Sequence, residues 1–162
     1  MKKTSQSLEE TREVAREFLK TLGVENSRHQ VSRATVVALQ GDLGAGKTAF
    51  TQAVGAELGL GGNLQSPTFV IMKVYDLEPT TNPSTPLGVN NKQWTKFFHI
   101  DAYRLERDEE LLHLGWEEII SEPENLIFIE WPERVEGVIP DYSRKIFFEF
   151  IDENTRTIEF ES

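Results

Sequence analysis

Residues 41–48, GDLGAGKT, combine the residue types that bind a phosphate group. They match the pattern Gly-x-x-x-x-Gly-Lys-Thr, known as Walker A. Its glycines let the backbone bend so that successive N–H groups point inward at an anion. Lys47 adds a charge for the β- and γ-phosphates, and the Thr48 hydroxyl can ligate Mg²⁺. Because an apolar strand is predicted before the loop and a helix after it, the pattern predicts nucleotide binding.

ATP is favoured over GTP as the nucleotide. Guanine-specific proteins with this loop usually carry the motif [NT]KxD at the end of a later strand. The nearest string here is NKQW at residues 91–94, which lacks the aspartate and falls in a predicted loop.

Hydrolysis of a bound nucleotide requires a second anchor for Mg²⁺. Glu130 follows the apolar run LIFI at residues 126–129, and an acid at the end of a buried strand is typical of the Walker B arrangement. The alternative is a strand-end glutamate in a surface ion pair. Together with the phosphate-binding loop, the metal role of Glu130 is favoured.

The string FHIDAYR at residues 98–104 places polar side chains on one face of a predicted strand. His99, Asp101 and Tyr103 alternate with apolar residues, and buried polar groups cost free energy unless they are paired. Asp101 is therefore a candidate for orienting water or a metal-bound water. His99 is interpreted as a structural histidine, since no second His or Cys stands at zinc-ligand spacing.

Thr68, in Ser66-Pro67-Thr68, is a candidate switch residue. A threonine in a loop after the helix of a phosphate-binding loop could sense the γ-phosphate. Ordinary turn chemistry is an equally good explanation of a Ser-Pro-Thr string taken alone.

The periodicity of the chain predicts an α/β protein with one domain over residues 1–162. A helix is predicted over 7–22, with Ser7 and Glu10 as a capping box and Gly23 as its stop. The other predicted elements are strands at 34–40, 68–77, 96–105 and 126–131, helices at 48–60, 107–112 and 115–121, and a closing hairpin at 144–151 and 155–161. We expect a three-layer P-loop NTPase-like fold with a mixed, mainly parallel sheet and a C-terminal β-hairpin.

Composition limits the classes of function. The chain has 162 residues, no cysteine and a net charge of -10. The charge argues against tight, direct nucleic-acid binding, which usually requires clustered Lys and Arg. No apolar run approaches 18 residues and no secretory h-region follows the N-terminal lysines, so neither a membrane helix nor a signal peptide is expected. These features, with the lack of cysteine, predict a cytoplasmic protein.

The motifs GDLGAGKT, SPTF, HIDAYR, LGWEEI and IEWPE, in this order, resemble the TsaE (YjeE) family. The resemblance covers about residues 7–161. It implies a small Mg²⁺-dependent ATPase that assists synthesis of threonylcarbamoyladenosine at position 37 of tRNA. The implied partners are TsaD, which performs the transfer chemistry, and TsaB. Contact with tRNA would be indirect, and ATP hydrolysis would be weak without the partners.

The resemblance also implies a role for individual residues. Lys47 and the loop amides would hold the phosphates, while Thr48 and Glu130 would ligate Mg²⁺. Asp101 would support hydrolysis and Thr68 would act as the switch. Trp131 would lie near the nucleotide and Thr11 near the adenine. The loop residues that supply the amides are Asp42, Leu43, Gly44, Ala45 and Gly46.

One segment departs from the family, and two other functions stay open. Residues 78–94 are longer than the family's usual turn and are predicted to extend a hairpin tip. The acidic stretch at 104–124 is a candidate docking surface for a partner. The first alternative function is a nucleotide-gated partner-binding module without meaningful hydrolysis. The second is a small-molecule kinase, although the Arg-rich lid usual in such kinases is not found.

Overall fold

A seven-stranded mixed sheet runs through the residues described by this computed structural model, which are 1–28, 32–61, 64–78 and 94–161. The spatial order of the strands is β1-β7-β6-β2-β5-β4-β3. Neighbouring strands among β6, β2, β5 and β4 run parallel, and the pairs outside this central group are antiparallel. The strands are β1 Lys2–Ser5, β2 Thr35–Gln40, β3 Met72–Asp76, β4 Lys96–Asp101, β5 Asn125–Glu130, β6 Arg144–Phe150 and β7 Arg156–Phe160.

Helices cover both faces of the sheet and make a three-layer α/β fold. They are α1 Leu8–Arg28, α2 Lys47–Glu57, α3 Asp108–Leu112 and α4 Trp116–Ser121, followed by a 3₁₀ segment Pro132–Val138. On β5, Leu126 and Phe128 pack into the core with α1 and α2, whereas Ile127 and Ile129 pack into the core with α3 and α4. This two-sided burial explains the continuous apolar run of β5. The predicted fold class, including the C-terminal hairpin, is confirmed.

The parallel strands bring three chain segments to one edge of the sheet. In the register of β5 with its neighbours, Glu130 stands opposite Leu39 of β2 and Asp101 of β4. The phosphate-binding loop follows β2 directly. The carboxyl ends of parallel strands are where ligands bind in α/β folds, so this edge is the expected place for a site.

Helix α1 begins after the predicted N-cap Ser7, but only one of the two capping-box bonds forms, and the helix ends later. The Glu10 N–H donates to Ser7 Oγ at 3.1 Å, and the Glu10 carboxylate accepts from the Gln6 N–H at 2.6 Å. The predicted stop at Gly23 is wrong, since the helix continues to Arg28. Gly23 is buried and is not among the positive-φ glycines. A helical glycine costs only about 1 kcal/mol, which tertiary packing can offset.

Two strands are shorter than predicted because turns replace their ends. The N–H groups of Val70 and Ile71 both donate to the Pro67 carbonyl, so β3 begins only at Met72. At the other end, Asp101 Oδ1 accepts from the Tyr103 N–H at 3.0 Å and closes β4. Tyr103 therefore lies outside the strand and does not share the face of His99 and Asp101. Side-chain hydrogen bonds to nearby backbone compete with strand pairing in this way.

Strand β1 was not predicted. It is short and polar, and it forms by antiparallel pairing with β7. The segment 78–94 can be followed only in part, since residues 79–93 lie outside the described ones; the predictions for its hairpin tip and for NKQ at 91–93 are not tested. Strands β3 and β4, on either side of it, pair antiparallel as predicted. Among the described residues, no helix combines the length and apolar character needed to cross a membrane.

A buried carboxylate joins the two helices on the site side of the sheet. Glu57, the last residue of α2, is 1% exposed and accepts hydrogen bonds from Arg12 Nε at 2.7 Å and Arg16 Nε at 3.0 Å, both on α1. Burial acts to raise the pKa of Glu57, but the hydrogen bonds from Arg16 and Arg12 outweigh it and the pKa lies below its ordinary value. The charged form of Glu57 therefore stabilises the fold.

We expect Glu57→Gln to lower the free energy of unfolding at pH 7 by about 1–2 kcal/mol, because the charged hydrogen bonds from Arg12 and Arg16 lose their acceptor charge. The folded-state pKa is depressed, so the contribution is present above the unfolded-state value of about 4.3 and is lost as the pH falls through the folded value. Denaturant titrations from pH 7 down to pH 3 would show the wild-type and variant curves converging. Asp76→Asn, which removes the exposed pair with Lys96, is the control and should cost under about 0.5 kcal/mol. A constant difference at every pH would contradict this assignment.

Candidate functional site

A cavity of about 550 Å³ opens at the carboxyl edge of the sheet. Its size lies within the range of about 300–1,000 Å³ that is usual for small-molecule sites. Four parts of the chain form its walls: the connection from β1 to α1, the phosphate-binding loop, the ends of the parallel strands and the C-terminal hairpin. The lining residues are Ser5, Gln6, Ser7, Leu8, Thr11, Leu43, Gly44, Ala45, Gly46, Lys47, Thr48, Ala49, Thr68, Asp101, Tyr103, Glu130, Trp131, Phe148, Glu153, Asn154, Arg156 and Ile158.

The phosphate-binding loop depends on its glycines for two different reasons. Gly46 precedes α2 with φ 107°, a conformation that an L side chain rarely adopts. Gly41 has φ 144°, and a Cβ there would lie 2.4 Å from the Phe148 carbonyl oxygen of β6. The first residues of α2, Lys47 to Ala49, line the cavity, and helix N-termini favour anions.

Lys47 is buried and lies at the centre of the loop. Its ammonium donates to the carbonyl oxygens of Gly41 and, at 2.9 Å, Asp42, and it lies 4.2 Å from the centre of the Trp131 ring. Burial lowers the pKa of Lys47, while the charges of Glu130 and other nearby carboxylates act in the opposite direction. An anion placed beside this ammonium would favour its charged form, so the position suits a phosphate.

Glu130 connects the loop to the sheet. The Thr48 hydroxyl donates to its carboxylate at 3.0 Å to Oε1 and 2.9 Å to Oε2. On the other side, His99 Nε2 lies 2.7 Å from Glu130 Oε1. Glu130 is 2% exposed, so these contacts replace water around a buried charge.

Asp101 and Thr68 form a second polar pair at the cavity wall. The Thr68 hydroxyl donates to Asp101 Oδ2 at 2.8 Å and shares a hydrogen bond of 2.7 Å with Ser66 Oγ. Asp101 is 5% exposed, whereas the next residue after Thr68, Phe69, is 84% exposed. The threonine is thus held by a nearly buried carboxylate but belongs to a turn that lies mostly in solvent.

Trp131 stands between these groups in a backbone conformation that is uncommon for its type. Its φ of 57° lies in the left-handed region, directly after β5 and before the 3₁₀ segment. The ring contacts Tyr103 with a centroid distance of 5.0 Å. Together the two rings form an aromatic part of the cavity wall beside Lys47.

The oxygens of Thr48 and Glu130 suit a hard divalent cation. Within the described ranges, no group of three or more His, Cys, Asp or Glu side chains is placed to hold a metal ion. Mg²⁺ does not require such a cage, since it usually keeps several waters and takes one or two protein oxygens with substrate phosphates. The pair therefore fits Mg²⁺ that arrives with a phosphate ligand.

Comparison with known proteins identifies the family. The family model described as "Threonylcarbamoyl adenosine biosynthesis protein TsaE" matches residues 5–158. The chain belongs to the TsaE family. A relative from Haemophilus influenzae, named tRNA threonylcarbamoyladenosine biosynthesis protein TsaE, is 30% identical over 127 residues, 78% of this chain and 70% of that protein.

A second TsaE relative and one solved structure extend the comparison. The Rickettsia felis protein of the same name is 34% identical over 122 residues, 75% of this chain but only 61% of that protein. The crystal structure of YdiB from Bacillus subtilis matches with a TM-score of 0.63 and 25% identity, over 99% of this chain and 83% of that chain. The fold of this TsaE protein is therefore shared with a solved structure over nearly its whole length.

The structure brings together the site residues that the sequence predicted, and their roles stay predictions. All of them line the cavity except Asp42, which is exposed and contributes its carbonyl oxygen to Lys47. Thr11, predicted near the adenine, is at the wall, where its hydroxyl donates to the Ser7 carbonyl at 3.1 Å and shares a hydrogen bond of 2.7 Å with Ser5 Oγ. In this member of the TsaE family, Thr11 thus holds the β1–α1 connection in place.

Sequence reasoning missed two walls and one contact. Gln6 comes from the β1–α1 connection and Leu8 from the start of α1, while Asn154 and Arg156 come from the hairpin that was predicted only as a closing element. The missed contact is that of His99 with Glu130. Strand alternation predicted only that His99 shares a face with Asp101, whereas the contact with Glu130 depends on the pairing of β4 with β5.

We expect Gly41→Ala to lower the free energy of unfolding by about 2–5 kcal/mol, because a Cβ at φ 144° would overlap the backbone of β6. Gly44→Ala is the matched variant, since Gly44 has φ 77° but a Cβ added there would meet nothing within 4 Å. It should cost only about 1–2 kcal/mol, from backbone strain alone. Thermal or denaturant unfolding of both variants measures the difference, and equal losses would contradict the close approach to Phe148.

Proposed function

We propose that this protein is an ATP-binding and ATP-hydrolysing accessory subunit of tRNA threonylcarbamoyladenosine synthesis, acting with partners of the TsaD and TsaB type. One observation carries the proposal: Lys47, the Thr48–Glu130 pair and the Thr68–Asp101 pair converge on one cavity. Membership of the TsaE family supports the pathway. We also infer that residues 1–162 act as one P-loop ATPase domain.

The names of the relatives support the pathway but not its details. The proteins from Haemophilus influenzae and Rickettsia felis are both named for tRNA threonylcarbamoyladenosine biosynthesis. Since the alignment covers 61% of the second protein, the substrate and partners of this chain are part of the proposal.

The walls of the cavity support a division of tasks for ATP. The amides of residues 42–46 and the Lys47 ammonium would hold the phosphates, because Gly44, Ala45, Gly46 and Lys47 line the same cavity. Thr11 of α1 and the β1–α1 connection would face the adenine, while Trp131 would cover the nucleotide beside Lys47.

Hydrolysis would use the carboxylates at the strand ends. Mg²⁺, held by Thr48 and Glu130, would neutralise charge on the phosphate oxygens. Water attacks the γ-phosphorus, the bond from this phosphorus to the ADP oxygen breaks, and the water proton must leave. Asp101 is a nearly buried carboxylate that can orient this water and accept its proton, with Thr68 holding Asp101 in position through the hydrogen bond of 2.8 Å.

The acidic surface after Tyr103 is proposed as the docking face for a basic region of a partner. Among its acids, Glu106, Glu109, Glu117 and Glu118 are exposed on or beside α3 and α4. Glu110 is used internally, because its carboxylate accepts from the N–H groups of Glu106 and Arg107 at 2.7 and 2.9 Å. The exposed acids would therefore provide complementary charge without disturbing the cap of α3.

Phosphate release from ATP with Mg²⁺ tests the proposed function. The protein would be assayed alone and with the TsaD and TsaB proteins of the same source. Lys47→Ala, which removes the proposed phosphate-binding ammonium, would serve as the inactive control. We expect weak release alone and stimulation of at least about tenfold by the pair, as partner-completed phosphoryl-transfer sites show. ATP binding without release, even with the pair present, would replace the ATPase by a nucleotide-gated binding module. Transfer of the γ-phosphate to an acceptor would indicate a kinase.

We expect Glu130→Gln to lose most of the Mg²⁺ dependence of ATP turnover, because an amide oxygen is a poorer ligand for Mg²⁺ than a carboxylate. Affinity for ADP in EDTA should change less than about threefold, since the phosphate donors of the loop are untouched. Isothermal titration and phosphate release, each at stepped Mg²⁺, measure the two quantities. Glu136→Gln, at an exposed acid of the following 3₁₀ segment, is the control. A normal Mg²⁺ response of Glu130→Gln would remove Glu130 from the metal site.

A further inference from the structure

His99 is a fully buried histidine that does not reach the cavity. It is 0% exposed, stands within β4 and is paired with Lys73 of β3 and Phe128 of β5 in the sheet register. Its one hydrogen bond to a side chain in the described part of the chain joins Nε2 to Glu130 Oε1 at 2.7 Å. His99 therefore reaches the site only through Glu130.

The contact determines which nitrogen of His99 carries a proton. An ionised carboxylate only accepts hydrogen bonds, so the His99 tautomer that suits this contact carries its hydrogen on Nε2 and donates it. In the neutral ring this leaves Nδ1 as an acceptor, and Nδ1 is buried with no hydrogen-bond partner among the described residues. Buried polar atoms are nearly always paired, and an unpaired one costs about 1–3 kcal/mol.

This cost argues against a purely structural histidine. If packing were the only role of this side chain, an apolar residue would fill the position without leaving a polar atom unpaired. In His99 only the nitrogen that faces Glu130 is used, as far as the described residues extend. This difference between the two ring nitrogens indicates that the role of His99 is its hydrogen bond to the Glu130 carboxylate.

The two donors to Glu130 come from opposite directions. Thr48 approaches from the phosphate-binding loop and lies in the cavity wall, whereas His99 approaches from inside the sheet. Thr48 belongs to the first turn of α2, and its hydroxyl is itself a proposed metal ligand. His99 differs from Thr48 in two ways. It contacts the Glu130 carboxylate from the side of the sheet, and it is not itself a proposed metal ligand.

We propose that His99 is a positioning residue for Glu130. Its Nε2–H holds Oε1 so that the carboxylate faces Thr48 and the cavity, and the oxygen pair for Mg²⁺ is formed before the nucleotide binds. This inference rests on the proposed function, because it assigns the orientation of a proposed Mg²⁺ ligand. Residues that orient a ligand in this way typically affect metal affinity by about 10–100-fold.

Nucleotide binding at stepped Mg²⁺ tests the inference without using turnover. The affinity for ADP is measured by isothermal titration in EDTA and then at increasing Mg²⁺, for the wild type, His99→Leu and His99→Gln. For His99→Leu we expect affinity in EDTA within about twofold of the wild type, and a Mg²⁺ concentration for half-maximal effect raised by about 10-fold or more. His99→Gln, whose side-chain amide can donate to Glu130, should recover most of this loss.

Ile100→Val, a small change at the next buried position of β4, is the matched control and should leave both quantities unchanged. A wild-type Mg²⁺ response in folded His99→Leu would overturn the inference and leave His99 with a packing role. If His99→Leu does not fold, His99→Asn, whose shorter side chain cannot place a donor where Nε2 lies, is compared with Glu130→Gln and with the double variant. We expect the double variant to respond to Mg²⁺ as Glu130→Gln does, and additive effects would overturn the inference.

Failure of the proposed function has a different signature. If ADP binding by the wild type does not respond to Mg²⁺, the metal site itself is wrong and the inference is overturned with it. If the wild type responds and the histidine variants respond in the same way, the metal site stands and the positioning role of His99 is overturned alone.

Discussion

The site depends on the burial of a single carboxylate, that of Glu130 at the end of the central strand β5. A charge that is 2% exposed must be compensated by hydrogen bonds, or the fold would lose several kcal/mol. The compensation comes from Thr48 on α2 and from His99 on β4. Because the donors lie on different elements, satisfying this one group fixes the phosphate-binding loop against the sheet.

The second buried charge, Lys47, is compensated less completely. Its ammonium is held by loop carbonyls and by the Trp131 ring, and burial lowers its pKa. The loop therefore holds a cation whose strongest possible partner, an anion, would come from outside the chain. Glu130 and Lys47 both line the cavity. The Lys47 ammonium suits a phosphate, and the Glu130 carboxylate oxygens suit the metal ion that accompanies it.

The local sequence pattern predicted most helices and strands. The predictions were wrong where a hydrogen bond to the backbone ends a strand, or where a strand forms only by pairing with a distant one. The apolar run of β5 and the glycine-rich loop carry strong local signals, and both formed as predicted. Strand β3 was predicted to begin at Thr68, but hydrogen bonds to the Pro67 carbonyl form a turn there. Strand β1 has no local signal at all, because its polar residues are ordered only by pairing with β7.

The sequence by itself determined the chemistry available to this protein: the phosphate-binding loop, an acid at the end of a buried strand, and the Asp101 motif. These follow from residue types at short spacing, which fix local backbone geometry and side-chain alternation. Only the tertiary structure decided that the β1–α1 connection and the C-terminal hairpin complete the cavity, and that His99 contacts Glu130. Those contacts join residues 31 positions apart or more, and they arise from strand order and register, which burial of both sheet faces selects and local sequence does not encode.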